Sequence, residues 1–293
     1  MELNQLRYFA AVIRTGSFSA AARECGVAQP SLSQQVMKLE REVGQRLLDR
    51  LPRGAIATRA GETLYARAEV ILRAVADAKR CVADETESGE LRIGAIPTVC
   101  PYLMPRMLGK FLRHYPSAEI MVEEGTTREL TARLKSGEID VGLMAAPVTD
   151  DALLFEEVLR EELILAVPRG HRLAKKARVS LDDMEGEPFV VLREMHCLGD
   201  QVMGVCQRHG AGRVACRGTQ LAMVEAMVGM GLGISLIPAM AKINSRRDVM
   251  LRELSGARPM RTIISVWNRD RYRTKVAAAF LAAVKREGAM LGR

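Results

Sequence analysis

Aromatic side chains are scarce in this sequence: they make up 4% of its 293 residues, and Trp267 is the single tryptophan. That scarcity disfavours single-stranded nucleic-acid binding, which relies on aromatic stacking platforms. Long apolar runs are missing as well. The longest uncharged stretch, Ala226 to Ala241, is shorter than the ~20 residues a spanning helix needs, and three glycines and a proline interrupt it. The start, MELNQLRYF, carries an acidic second residue and no apolar signal core, so a cytoplasmic protein with no membrane association is expected. No C-x-x-C pair or P-loop occurs, and the glycines of GMGLGIS (residues 229–235) lack the strand-turn-helix context of a dinucleotide site. A turnover enzyme is not expected, nor is a bound cofactor.

What is present is an ordinary globular composition, 48% hydrophobic and 27% charged, with length for about two domains. Six cysteines in a reducing compartment do not form a structural framework by default; each is a buried hydrophobe, a metal ligand or a redox thiol. The net charge of +8 favours an anionic partner. Half of that excess lies in residues 1–60, where nine Lys/Arg face five Asp/Glu.

Those 60 residues have helical texture. Leu3, Leu6, Phe9, Val12 and Ile13 follow helix spacing, Ser17 is placed to cap a second helix that stops at Gly26, and Gln29-Pro30-Ser31 opens a third. Two short helices, a glycine-containing turn and a third helix with a polar front make a helix-turn-helix. Such a third helix enters the major groove of double-stranded DNA. Gln29, Ser31, Ser33 and Gln34 are its short polar residues, and glutamine pairs bidentately with adenine. After it, apolar runs flank Pro52-Arg53-Gly54, a small β-wing with Arg50 and Arg53 near its tip. Lys38, Arg50 and Arg53 are candidates for neutralising phosphates, although Lys38 and Arg41 read equally well as solvated helix charges. Leu64, Ala68, Ile71, Val75, Ala78 and Val82 then alternate spacings of four and three. That is the seam of a short coiled coil and hence of a dimer, against the plainer reading of a helix packed on its own domain.

Residues 89–293 alternate strands and helices, which predicts parallel sheets covered by helices. Expected strands are LRIGAI, AEIMVEE, VGLMAA, ELILAVP, PFVVL, GLGISLIP and RTIISVW; expected helices include Pro101 to His114, Thr127 to Ser136 and a closing helix from Arg271 to Lys285. The fold class is α/β with a winged helical head. The expected domains are a winged helix-turn-helix over 1–60, a linker helix over 61–88 and a two-lobed effector domain over 89–293. Lobe I takes about 89–160 and 266–293, and lobe II about 161–265.

The run LRYFAAVIRTGSFSAAARECGVAQPSLSQQVMKLEREVGQRLLDR resembles the winged helix-turn-helix of LysR-type transcriptional regulators, through F-x-A-A-A, Q-P-S-L-S-x-Q and L-E-x-E-V-G-x-x-L-x-x-R. The likeness continues to GLGISLIP and so covers the whole chain. It implies a homodimer or homotetramer that activates or represses transcription with RNA polymerase, and a two-lobed effector domain like periplasmic binding proteins. It also implies DNA contact at Gln29, Pro30 and Ser33.

Within the effector domain, MHCLGDQVMGVCQRHG (residues 195–210) is the most informative segment. Leu198, Val202 and Cys206 share a helical stripe, so Cys206 reads as buried. Cys197 begins the helix, where amide dipoles favour a thiolate and His196 stands beside it. Along a continuous helix the two cysteines are ~13 Å apart at ~1.5 Å per residue, against the ~4.4–6.8 Å between Cα atoms that a disulfide needs. A bond between them requires unwinding, as in a switch. A zinc site from His196, Cys197, Cys206 and His209 matches no common ligand spacing. The segment resembles the peroxide-sensing OxyR subfamily, whose redox pair has the pattern H-C-L-x-D-Q-x-M-G-x-C. That resemblance implies a hydrogen-peroxide sensor in which Cys197 is oxidised and captured by Cys206. Thr98 lies in a second match, IPTVCPYLMP, where Cys100 replaces the usual glycine. Thr98 is the hydroxyl assigned to peroxide, His196, Asp200, Gln201 and Thr127 are orienting groups, and Arg269, or Arg271 beside it, is the cation. The competing ligand is a small organic anion between the lobes, at the helix N-terminus that follows Thr98.

Overall fold

Left-handed glycines cut the first segment into short helices. α1 (Leu3–Thr15), α2 (Phe18–Cys25) and α3 (Gln29–Val43) end at Gly16, Gly26 and Gly44, with φ of 66°, 67° and 70°, a conformation without a Cβ penalty for glycine alone. The Ser17 hydroxyl accepts from the Ala20 amide to cap α2, and Pro30 lies in the first turn of α3. β1 (Leu48–Leu51) and β2 (Gly54–Ala57) form an antiparallel hairpin. It docks on the α1–α2 corner: the Ala55 amide donates to the Gly16 carbonyl at 2.8 Å, and a Cβ on Gly54 would lie 2.6 Å from that oxygen. α4 (Arg59–Ala83) completes this unit. The computed structural model describes residues 1–51, 54–83, 89–193, 197–208, 212–256 and 258–291. It divides into two units, Met1–Ala83 and Asp84–Arg293.

Phe9, Val12, Leu32, Val36, Leu39 and Leu47 form the core of the first unit. The apolar stripe of α4 splits in two. Leu64, Ala68 and Ile71 pack on that core, whereas Ala78 is exposed and Val82 is 84% exposed. The packed-helix reading thus holds for the first half of the stripe, and the second half is exposed.

The second unit contains β3 (Gly89–Ala95), α5 (Cys100–His114), β4 (Ala118–Glu124), α6 (Thr127–Ser136), β5 (Val141–Ala145), β6 (Leu153–Pro168), β7 (Arg178–Val179), β8 (Phe189–Leu192), α7 (Cys197–Arg208), β9 (Val214–Gly218), α8 (Leu221–Gly229), β10 (Ser235–Pro238), β11 (Val249–Leu254), β12 (Met260–Asn268) and α9 (Lys275–Leu291). The strands run in the order β4-β3-β5-β12-β6-β11-β7, with β10 also on β6. β3 pairs in parallel with β4 and β5, as expected, but β12 runs antiparallel to both β5 and β6. The sheet is therefore mixed, not parallel. The cause is that the chain crosses from one lobe to the other and returns on neighbouring strands. β6 carries it out, its residues 153–162 pairing with β12 and its residues 163–168 with β10 and β11.

This double duty explains why the first half of β6 escapes a sequence reading. LLFEEVLRE forms an edge strand in lobe I, where charges blunt the open edge. LILAVP then becomes a central, buried strand in lobe II, and that run alone has strand texture. The closing helix likewise starts later and ends later than expected, over Lys275–Leu291. Each lobe has its own core, centred on Ile93, Leu143 and Phe280 in one and on Leu165, Val190 and Ile237 in the other.

Buried among lobe II side chains, Glu225 of α8 is 3% exposed. Burial pushes its carboxyl up to about 7, although the Arg246 backbone amide and the Arg246 charge oppose the shift. Tyr102 of α5 also faces it. Because the folded form holds the proton more tightly than the unfolded chain, stability is lost as pH rises through about 7. Thermal melts from pH 5 to 8 are expected to show a falling Tm, and Glu225→Gln is expected to flatten that slope; an unchanged slope would refute the assignment.

Candidate functional site

The exposed face of α3 is polar because its opposite face supplies Leu32, Val36 and Leu39 to the core. Gln29, Pro30, Ser31, Gln34 and Lys38 are exposed on it, and Lys38 lies 3.3 Å from Glu2. Ser33 is half-buried and accepts from Arg50 Nη1 at 3.1 Å. The Arg50 guanidinium also stacks on Phe18 at 4.7 Å and sits 3.9 Å from Glu40. Glu40 in turn accepts from the amides of Leu47 and Leu48. Arg50 and Glu40 thus tie the hairpin to α3, a role that their sequence positions do not announce. Arg53 lies outside the described residues.

In the second unit two helix N-termini meet at a cysteine. Cys197 opens α7, Thr127 opens α6, and Cys197 Sγ is 3.0 Å from Thr127 Oγ1. The entry to α6 is fixed by a capping box between Thr126 and Glu129. Thr98 is 3% exposed, just ahead of α5. Its hydroxyl accepts from Arg261 Nη1 at 3.0 Å and its carbonyl from Nη2 at 3.2 Å.

Arg261 is the residue the sequence reading missed. It is fully buried and lies directly across the β6–β12 pairing from Glu161, at the point where the chain passes between lobes. Its Nε donates to Glu161 Oε1 at 2.7 Å, and the other Glu161 oxygen accepts from the Met240 amide at 2.8 Å. Burial lowers the guanidinium from its ordinary pKa, while Glu161, Tyr102 and Cys197 pull it upward. The Cys197 sulfur is therefore within electrostatic reach of a buried cation. A second cysteine is kept apart from this chemistry: burial pushes the Cys100 thiol up to about 11, reinforced by the Glu124 charge and by a hydrogen bond to that carboxylate.

Residues 84–289 match the LysR substrate binding domain family, and residues 3–62 match the bacterial regulatory helix-turn-helix protein, lysR family. The chain belongs to the LysR family. Within it the chain falls in the OxyR group. It is 36% identical over 272 residues to the hydrogen peroxide-inducible genes activator of Pectobacterium carotovorum, spanning 91% of this chain and 90% of that relative. A full-length OxyR variant from Pseudomonas aeruginosa superimposes with a TM-score of 0.80 at 27% identity, spanning 97% of this chain and 95% of that one. A peroxide-bound OxyR mutant from Corynebacterium glutamicum gives 0.66 at 29% identity, over 99% and 94% of the two chains.

For this LysR-family chain the structure sorts the sequence-derived residues. Thr127 and Cys197 meet, and Thr98 is hydrogen-bonded to Arg261, whose charge interacts with Cys197. Gln201 is one turn along α7 from Cys197, and its Oε1 is buried with no hydrogen-bond partner among the described residues. Asp200 is exposed instead of turned into the cluster. Arg269 is a correction. β12 runs away from the site, so a residue eight positions beyond Arg261 lies roughly 26 Å along the strand at ~3.3 Å per residue, and Arg269 is exposed at that far end. Arg271, beside Gly137 at the far end of α6, is no nearer. The cation near the cysteine comes from the start of the strand, not from its end. His196 and the side chain of Cys206 lie outside the described residues, but α7 runs unbroken through positions 197 and 206.

Proposed function

We propose that this chain is a cytoplasmic, homo-oligomeric transcription regulator that binds double-stranded DNA through α3 and its wing, and that it senses hydrogen peroxide at Cys197. The observation that carries the reading is Cys197 at the first position of α7, with Thr127 Oγ1 at 3.0 Å and the buried Arg261 charge in reach. A thiolate is the reactive form of cysteine. It attacks one peroxide oxygen, the O–O bond breaks, and the departing hydroxide takes a proton to leave as water. Thr127 and Thr98 offer hydroxyls to orient the peroxide, and the buried Gln201 Oε1, without a hydrogen-bond partner among the described residues, offers an acceptor for a peroxide O–H. Cys197 is left as a sulfenic acid, which the Cys206 thiol attacks to give a disulfide and a second water.

That disulfide requires α7 to come apart. Nine residues of intact helix separate the two Cα atoms by ~13 Å, far beyond the ~4.4–6.8 Å range of a disulfide. The refolded segment between β8 and β9 is the two-state element that passes the signal on. The exposed half of α4, ending in Val82, supplies a face for a second copy. The oxidised oligomer re-spaces its DNA heads and recruits RNA polymerase. The competing reading is a small organic anion at the start of α5, beside Thr98 and its partner Arg261.

The test is chemical. Reduced protein receives one equivalent of hydrogen peroxide, and its thiols are then mapped by alkylation and peptide mass spectrometry. A rapid Cys197–Cys206 disulfide with Cys100 still alkylatable is the expected result. Unreactive thiols would leave a DNA-binding regulator but remove peroxide as its signal.

A further inference from the structure

The positive charge of this chain has two seats, and the DNA-binding head is only one of them. α5 and α9 together carry six Lys/Arg against a single acid, Glu287. The two helices pack side by side within lobe I, with the rings of Phe111 and Phe280 edge to face at 5.4 Å. A cavity of about 280 Å³ lies between them. Its floor is apolar: Met107 and Phe111 are buried under it, Tyr115 lies 4.5 Å from Phe111 between ring centroids, and the short side chain of Ala283 leaves the space open. Spacings of three and four put Lys110 and His114 on that same face of α5, and Arg286 and Glu287 on the face of α9 that carries Ala283. Glu287 does not neutralise this margin. It is buried, accepts from Lys110 Nζ at 2.5 Å and lies 3.4 Å from Arg106 Nε, so two cations share one carboxylate. Arg286 is exposed and forms no ion pair among the described residues.

We propose that this cavity binds a phosphate monoester that carries one aromatic ring. The ring lies on Phe111, Tyr115 and Met107, side chains that favour aromatic and sulfur–aromatic contact. The phosphate lies among Lys110, His114 and Arg286. Its three terminal oxygens can take three donors, where a carboxylate has two oxygens. Lys110 spends one of its three donors on Glu287 and keeps the others. His114 Nδ1 donates to the Lys110 carbonyl at 2.9 Å, which leaves Nε2 for the guest. A neutral ring there accepts from the O–H of a phosphate monoanion, and a protonated ring donates to the dianion. The carbonyls at the end of α5 that would repel an anion are occupied, Lys110 by His114 and Phe111 by the Tyr115 amide at 2.9 Å. At ~30 Å³ for each water-sized group, the cavity takes roughly nine, more than a bare phosphate fills. The site lies within lobe I, and its occupation does not depend on the peroxide chemistry.

Calorimetric titration of the reduced full-length protein with phenyl phosphate is expected to show saturable binding of one molecule per chain. Inorganic phosphate tests the charge without the ring, and benzoate the ring with a carboxylate; each is expected to bind much more weakly. In the double variant His114→Ala, Arg286→Ala the affinity for phenyl phosphate is expected to fall by about tenfold or more, through loss of charge-assisted contacts. Ala283→Leu fills the floor while keeping every charge, and is expected to abolish binding. Arg286→Lys keeps the charge and is expected to bind close to the wild type, which separates lost recognition from lost folding. Absent or non-saturable binding, or equal binding of benzoate or inorganic phosphate, overturns the site. Binding untouched by the double variant or by Ala283→Leu also overturns it, and would place the phosphate on another surface such as the DNA-binding head.

Discussion

Cys197→Ser is expected to abolish the peroxide response of this regulator while leaving its reduced-state DNA binding intact. The hydroxyl keeps the size of the thiol and its contact with Thr127 Oγ1, now 3.0 Å from sulfur, so α6 and α7 stay docked. What disappears is the nucleophile, because a serine hydroxyl is not ionised at neutral pH and does not break an O–O bond. Footprints of the variant with and without peroxide are expected to be identical and to match the reduced wild type. Cys206→Ser serves as the companion, since it leaves Cys197 to stop at the sulfenic acid, which a dimedone-type trap detects. A peroxide-dependent footprint in the Cys197→Ser protein would place the sensor elsewhere.

Arg261→Met is expected to cause the largest loss of stability, on the order of 3–5 kcal/mol, because it leaves the Glu161 carboxylate buried without its cation. The guanidinium is wholly inaccessible, and Glu161 is nearly so. Urea unfolding of the full chain measures this cost. The double variant Glu161→Gln, Arg261→Met is expected to recover much of it, since a neutral amide still accepts from Met240 and buries no charge. The recovered protein is then the informative one. With the fold restored but the cation gone, alkylation of Cys197 at neutral pH is expected to be slower than in the wild type. An equal rate in the double variant would show that Arg261 is a strut between lobes with no hand in the reactivity of the thiol.

The two effects also mark what kind of residue escapes a sequence reading. Thr127 is conspicuous because the Thr126–Glu129 box writes the start of α6 locally, and Cys197 because of the resemblance that the H-C-L-x-D-Q pattern carries. Arg261 is one of 43 lysines and arginines, in a strand with no special texture. Its importance comes from Glu161, one hundred residues earlier and directly opposite on β6. Arg269 is what the resemblance implies, and strand direction places it at the far end of β12 instead. Arg50 shows the same limit in the first unit, where stacking on Phe18 and bonding to Ser33 turn a wing-tip charge into a brace.

Features that depend on neighbours within a few turns of chain are written locally. Its glycines ended the helices, Ser17 capped α2, and helix periodicity separated the buried Leu32, Val36 and Leu39 from the exposed Gln29, Ser31 and Gln34. Those signals rest on local hydrogen bonds and on the 3.6-residue repeat, which any stretch of sequence carries with it. The antiparallel course of β12, the pairing of Arg261 with Glu161 and the meeting of Thr127 with Cys197 arise only in the folded chain. Each of these needs two segments far apart in the chain to meet at one register. That meeting is set by how two cores share the single strand β6, and no local pattern records it.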